Sequence, residues 1–385
     1  MRAAIVVPVL AALFLTGCGA TSDTAKPAAD SPGKLVSQRS LGNLDPALTA
    51  AMSSATYIRY TSTSPEGKPI EVSGAVFLPA GNAPAGGWPV IAFAHGTSGV
   101  VSACAPTNSP TLFGSAPTVA QLLAGHRAVV MTNYQGLDGP GNAPYLDSRS
   151  SGYDVLDSVR AARSAGLRLS SDTVLLGVSQ GGRAAESAAE TAKAYAPDLN
   201  LHGVVLLSPA LELLLVDTVR SAALNAPDQY LIIPYVLAAV RYSTPGYRDD
   251  QLLHGDLLDA APRLESTCTG NLTPADLALG AAATPAEVRF ADDAAAQPFI
   301  DLQSRTNLPK SVTPLPTYIV RGDADKLVDT AWSAAAVSKM CTLGTPVHDL
   351  TVSGGHDAPA AVVSQWSSWI DDLFANKAFR STCPR

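Results

Sequence analysis

Ser179 stands in the pentapeptide Gly177-Val178-Ser179-Gln180-Gly181, with another glycine at Gly182. A hydroxyl that is to attack an acyl carbonyl must stand clear of the chain around it. Glycines two residues to either side remove the side chains that would crowd a sharp strand-to-helix turn. The flanks suit such a turn. Thr173-Val174-Leu175-Leu176 is a short apolar run with the character of a buried strand, and the Ala-, Glu- and Lys-rich stretch to about Tyr195 has the character of a helix. The same spacing arises by chance in ordinary turns of an Ala- and Gly-rich chain, so the meaning of the serine depends on partners elsewhere.

A serine hydroxyl is a poor nucleophile at neutral pH. It needs a base to take its proton and a buried carboxylate to hold that base in the right tautomer. Of the six histidines, one lies near the end of the chain in a loop of suitable character, Ser353-Gly354-Gly355-His356-Asp357. A strand-like run at 348–352 precedes it and a helical stretch with Trp366, Trp369 and Ile370 follows, which makes His356 the expected base. The acid should hang from the strand before, and Pro316-Thr317-Tyr318-Ile319-Val320 runs into Arg321-Gly322-Asp323-Ala324-Asp325-Lys326-Leu327-Val328. The chain order serine, acid, histidine and the G-x-x-D-x-x-V spacing single out Asp325, leaving Asp323 and Asp329 as solvated loop carboxylates.

An oxyanion formed by such an attack needs two backbone N–H donors, each worth about 3 kcal/mol of barrier when removed. One is expected at Gln180, directly after the serine. The other is expected at Thr97, in the loop His95-Gly96-Thr97-Ser98-Gly99 that follows the apolar run 89–94. His95 comes too early in the chain for the base and is expected to pack or hydrogen-bond beneath that loop. His126, His202, His254 and His348 take satisfied or surface roles by default, and no cluster of them has metal-site spacing.

The elements that must position these residues are legible as short β-like runs at 56–61, 70–78, 90–94, 128–132, 173–178, 201–207, 317–320 and 349–352, alternating with helical stretches from the third onward. Alternation of this kind predicts a mostly parallel sheet flanked by helices, with function at the carboxyl ends of the strands, where every candidate residue falls. A chain of 385 residues with 46% hydrophobic content can bury one large core. The pattern breaks after the sixth run. About a hundred residues intervene before the seventh, far more than an ordinary connection. The apolar helical stretches 211–216 and 230–237 within them predict a helical cap, about residues 211–312, whose apolar residues pack the insertion onto the body, meet an acyl chain, or do both.

The N-terminus predicts export. Met1-Arg2 is a short basic start, 3–15 is apolar but too short for a lasting membrane span, and Leu15-Thr16-Gly17-Cys18 matches the signal box of bacterial lipoproteins. Residues 1–17 are expected to be a signal peptide, Cys18 the lipidated residue, and 18–40, rich in Ala, Ser, Thr, Pro and Asp, a flexible tether. The catalytic domain would then occupy 41–385, on the outer face of a bacterial cell membrane or released from it. Four cysteines remain, Cys104, Cys268, Cys341 and Cys383, an even number that suggests two disulfides with three possible connectivities. Loss of residues 1–17 takes one arginine from the 26 basic residues, leaving 25 against 33 acidic, a net of −8. That balance argues against nucleic acid or anionic headgroups as electrostatic partners.

His95-Gly96-Thr97 followed by Cys104-Ala105-Pro106-Thr107, then Asn133-Tyr134-Gln135-Gly136-Leu137 with Pro140-Gly141 and Pro144-Tyr145, then Gly177-Val178-Ser179-Gln180-Gly181-Gly182, resembles the secretory lipase family of the α/β-hydrolases, which comprises fungal lipase A-type enzymes and actinobacterial relatives. The resemblance covers about residues 40–385. It implies an α/β-hydrolase fold with a helical cap and a carboxylic ester hydrolase, lipase or esterase, acting on acylglycerols or other acyl esters without a cofactor. It also implies the pairing Cys104–Cys268, which leaves Cys341–Cys383. Two departures, Asp138 for a glycine and Ala143 for a histidine, fall in a loop that the resemblance puts near the pocket. Two other readings stay open: an acyltransferase of the cell envelope using the same triad, and a non-catalytic surface binding protein on a hydrolase fold.

Overall fold

The computed structural model describes Met1 and residues 31–384. In chain order the elements are β1 (Leu35–Ser40), α1 (Pro46–Ala51), β2 (Met52–Thr63), β3 (Pro69–Pro79), β4 (Trp88–Ala94), α2 (Ala116–Ala124), β5 (Ala128–Thr132), α3 (Ser148–Ser164), β6 (Leu169–Val178), α4 (Gln180–Tyr195) and β7 (Asn200–Leu207). There follow α5 (Leu215–Arg220), α6 (Pro227–Ser243), α7 (Gly255–Glu265), α8 (Pro274–Ala282) and α9 (Asp293–Thr306), then β8 (Thr317–Gly322), α10 (Thr330–Leu343), β9 (Val347–Val352) and α11 (Val363–Phe374). The strands form one sheet in the order β1-β2-β3-β5-β4-β6-β7-β8-β9. The pairings among β1, β2, β3 and β5 are antiparallel, and those from β5 through β4 to β9 are parallel. This is the mixed, mainly parallel sheet of an α/β-hydrolase.

The near-continuous apolar sequence of the central strands follows from burial on both faces. Side chains alternate across the sheet with period two. Val90, Ala92 and Ala94 pack with Leu175, Val204 and Ile319 against α3, α4 and α10, through Leu156, Ala185 and Met340. Ile91 and Phe93 pack with Val174, Leu176 and Val205 against α2 and α11, through Leu122, Trp366 and Ile370. A third apolar cluster belongs to the insertion α5–α9 and extends onto Val100, Cys104, Leu137, Tyr145 and Leu146 of the body. The cap therefore shares a core with the loops after β4 and β5 rather than sitting apart from them.

One boundary differs from expectation. The end of the segment assigned to a tether, Leu35–Ser40, forms β1 and pairs with β2 through Arg39↔Tyr57 and Ser40↔Thr56. Five of its six residues are exposed, so it carries no hydrophobic signature, and its order comes from the backbone ladder. The insertion, sixth-strand in the sequence count, consequently follows β7. The signal box and Cys18 lie outside the described residues, and no helix among the described residues is long and apolar enough to cross a membrane.

Candidate active site

The backbone at Ser179 has φ 54° and ψ −118°, a conformation that L residues avoid and that turns the chain sharply between β6 and α4. The surroundings over-determine this turn. The Ser179 amide donates to Leu207 O at 2.9 Å, and its carbonyl accepts from Gly182 N at 2.9 Å and Ala210 N at 3.0 Å. The flanking glycines are required by close approach: a Cβ on Gly177 would lie 2.0 Å from Gly181 O, and one on Gly181 would lie 1.9 Å from Ala94 O. The helix start is thus pressed against the ends of both β6 and β4.

Asp325 and His356 come from the loops after β8 and β9 and meet. His356 Nδ1 donates to Asp325 Oδ2 at 2.7 Å. The Asp325 carboxylate is 4% exposed, and its other oxygen accepts from Leu327 N and Val328 N, each at 3.0 Å. An acceptor-only carboxylate held this way fixes the imidazole with its proton on Nδ1 and Nε2 as the basic nitrogen. Among the described residues the buried His356 Nε2 has no hydrogen-bond partner. Ser179 and His356 line one cavity together with Thr97, but no serine–histidine hydrogen bond is formed.

Asp323 and Asp329 are structural rather than merely solvated. Asp323 Oδ1 accepts from Gly354 N at 3.0 Å and so holds the loop that carries His356. Asp329 caps α10 through Ala331 N at 2.7 Å. Sequence reasoning gave neither a role, although an aspartate directly before a helix is a recognisable cap.

Thr97 and Gln180 lie beside the serine. Both line the inner cavity with Ser179, and a Cβ on Gly96 would sit 3.7 Å from Ser179 Cβ. Gln180 is the first residue of α4, so its N–H has no partner within the helix. Thr97 N–H donates to no described residue. His95 lies beneath the loop, 1% exposed, its ring 4.3 Å from that of Tyr134, with Nδ1 donating to Gly96 O at 2.7 Å. Gly96 C=O and Thr97 N–H belong to one trans peptide, so this bond aims the amide away from the imidazole. Burial pushes the His95 pKa down to about 4, which keeps it neutral.

Two cavities share Thr97, Ser179, Ile232 and Leu327 in their walls. The inner one, about 60 Å³, is walled by Leu213, Leu215, Leu224 and Ile233 of the cap and by Val328 and Trp332. The outer one, about 420 Å³, carries His356 and an apolar rim that includes Leu231, Tyr235 and Leu277. The cap's apolar residues divide between core and cavity wall. Val236 and Leu237 are core, and Leu213 and Ile232 line the cavities.

Of the two departures, Ala143 borders a small cavity with Gln180 and Tyr145. Asp138 turns away, accepting from Tyr57 Oη at 2.5 Å and Ser73 Oγ at 3.1 Å. The remaining histidines are placed apart from the site: His126 stacks on Trp88, His202 meets Asp172, and the rings of His254 and His348 bond the carbonyls of Arg289 and Arg380. Both disulfides form, Cys104–Cys268 and Cys341–Cys383.

A family model described as secretory lipase matches residues 115–381. Among curated proteins, one named "Probable inactive lipase" from Mycobacterium tuberculosis is 32% identical over 204 residues, which cover 50% of this chain and 44% of that protein. The chain therefore spans less than half the length of this relative. Candida antarctica lipase A in its closed state superposes with a TM-score of 0.69 at 18% identity, over 92% of this chain and 84% of that one. The rice cell wall degrading esterase LipA from Xanthomonas oryzae gives a TM-score of 0.70 at 21% identity, over 90% of this chain and all of that one. At such identities the two structures speak to fold alone. The family model covers more than half of the sequence, and on that ground the chain belongs to the secretory lipase family.

Proposed function

We propose that this protein is a serine carboxylic ester hydrolase, a lipase or esterase that cleaves acyl esters through an acyl-serine intermediate. The observation that carries the reading is the His356 Nδ1–Asp325 Oδ2 hydrogen bond of 2.7 Å, which leaves a buried Nε2 unpartnered on the cavity that Ser179 also lines. In this mechanism His356 Nε2 takes the Ser179 proton as Oγ attacks the carbonyl carbon. Asp325 stabilises the imidazolium, and the Thr97 and Gln180 amides donate to the oxyanion. His356 returns the proton to the leaving alkoxide. Water, deprotonated by the same nitrogen, then attacks the acyl carbon, the bond to Ser179 Oγ breaks, and His356 returns the proton to Oγ as the acid leaves. Hydroxyl–imidazole contacts of this kind are often long before substrate binds and tighten on binding.

The apolar inner cavity suits an acyl chain and the larger outer one the alcohol portion. Residue types at the site support no separate cofactor role. We also place the protein outside the cell, anchored by lipid on Cys18, a reading that rests on the signal box.

The test is turnover of p-nitrophenyl esters from acetate to palmitate, with and without an oil interface, by wild type and Ser179→Ala. Loss of at least ~10³-fold in kcat is expected for the variant, and wild-type turnover by it would remove the proposal. The name of the Mycobacterium tuberculosis relative keeps a non-catalytic reading in view. Failure of a fluorophosphonate to label Ser179 in folded protein would favour that reading. Acyl transfer to an added alcohol acceptor in place of water would favour an acyltransferase.

A further inference from the structure

The loop that holds Thr97 is gripped from the cap. Thr269, which follows Cys268 directly, donates twice to it: its N–H to Ser98 O at 3.0 Å and its Oγ1–H to Thr97 O at 3.0 Å. Cys268 is itself bonded to Cys104, at the far end of the same loop. On the other side, Tyr145 Oη lies 2.9 Å from Thr97 Oγ1, and the Tyr145 ring packs edge-on against Tyr235 of α6. Tyr235 Oη in turn donates to Thr267 O at 2.6 Å, two residues before Thr269.

These contacts converge on three successive peptide groups. His95 holds the Gly96–Thr97 peptide by its carbonyl, and Thr269 holds the Thr97–Ser98 and Ser98–Gly99 peptides by theirs. The segment has glycine at both ends and no secondary structure, so nothing local fixes its dihedrals. Among the described residues one polar group of Thr97 has no partner, the N–H, in a residue that borders both cavities with Ser179. A backbone donor acts on an oxyanion only when it is pre-aimed, because its value comes from needing no reorganisation at the moment of reaction.

We propose that Thr269 is a positioning residue for the oxyanion donor, so that the cap completes the reaction centre instead of only covering it. The proposal rests on the reading of Ser179 as the nucleophile. The Thr269 hydroxyl fixes the Thr97 carbonyl, and the disulfide beside it fixes where that hydroxyl can be. Thr269 borders the outer cavity, but its hydroxyl is committed to Thr97 O at 3.0 Å. Its effect passes through the direction of the Thr97 N–H, and is therefore felt in the transition state more than in substrate binding.

Thr269→Val keeps the shape and the backbone N–H but deletes the hydroxyl, and Thr269→Ser restores it. For a p-nitrophenyl ester, Thr269→Val is expected to lower kcat by between about 10- and 100-fold with KM within about twofold. Thr269→Ser should stay within about threefold of wild type. The Ki of an alkylboronic acid, whose boron forms a tetrahedral adduct with Ser179 Oγ, should rise by the factor by which kcat/KM falls. Unchanged Tm in both variants would exclude a folding effect. An unchanged kcat in Thr269→Val, equal impairment of the Val and Ser variants, or a change confined to KM would each overturn the proposal. Ser179→Ala distinguishes this from failure of the underlying reading. If that variant is as active as wild type, the assignment of the nucleophile fails and the role of Thr269 with it. If it is inactive while Thr269→Val is normal, only the role of Thr269 fails.

Discussion

Replacing Glu186 by glutamine should stabilise the protein, increasingly so as the pH rises. Glu186 lies on α4, the helix that starts at the Ser179 turn, and is fully buried, with both carboxyl oxygens lacking any hydrogen-bond partner among the described residues. Burial, reinforced by Glu190 one turn further on, pushes its pKa from 4.5 up to about 8. Arg183, one turn earlier, directs its guanidinium to the carbonyls of Ala210 and Thr306 and forms no ion pair with it. A raised carboxyl pKa means that the folded state binds more protons than the unfolded state. The stability it allows is full below pH 4.5 and is lost as the pH rises towards 8. Over a shift from 4.5 to about 8, at 1.36 kcal/mol per unit, the loss is about 5 kcal/mol. Glutamine has nearly the same shape and no proton to lose. Unfolding entropy of about 2.1 cal/mol/K per residue over roughly 350 residues is about 0.7 kcal/mol/K, so the gain in Tm is about 7 °C at pH 8.5 and only about 1 °C at pH 5. Paired thermal melts of wild type and Glu186→Gln across that range check the slope. A difference in Tm that stays flat with pH would refute the assignment of a neutral, buried carboxyl.

Trp332→Ala should move the acyl-chain optimum upward. The indole is 7% exposed, packs on Val328 and Ala210, and walls the inner cavity, so its removal should raise kcat/KM for octanoate relative to butyrate by ~10-fold. An unchanged chain-length profile would mean that the acyl group does not enter that cavity. Cys18→Ser should release the exported protein from the membrane fraction, and retention of the variant on membranes would show that lipid on Cys18 is not the anchor.

The three candidates for the triad share one property: each lies within a few positions of the end of a strand whose apolar run is readable by itself. Ser179 follows β6, Asp325 follows β8 and His356 follows β9, so local pattern and chain order were enough to nominate them. The contact of 2.7 Å between Asp325 and His356 spans 31 residues, yet it needed no long-range knowledge, because adjacent parallel strands β8 and β9 deliver their loops to the same edge. β1 escaped notice because its side chains face water and its pairing is carried by backbone groups, which have no signature in sequence. Asp138 was placed near the pocket by family analogy, whereas Tyr57 of β2 and Ser73 of β3, from far earlier in the chain, hold its carboxylate.

What remained hidden about the cap has a different cause. An apolar residue removed from water by another side chain and one removed by a cavity wall have the same hydropathy and the same helical period. Ile233 both belongs to the cap core and lines the inner cavity, so no pattern in α6 could separate packing from binding. The polar contacts that join the cap to the loop beside Ser179 are harder still to foresee. Tyr145 meets Thr97 across 48 residues and Thr269 meets Thr97 across 172, in loops where nothing periodic constrains the chain. Only the folded arrangement, with the Cys104–Cys268 bond closing one end of the loop, brings a threonine of the insertion to the carbonyls beside Ser179. A cap tied in this way cannot lift from the body at Thr269 without disturbing the Thr97 amide. The outer cavity, with Leu231, Tyr235 and Leu277 in its wall, reaches Ser179 without any movement at the disulfide.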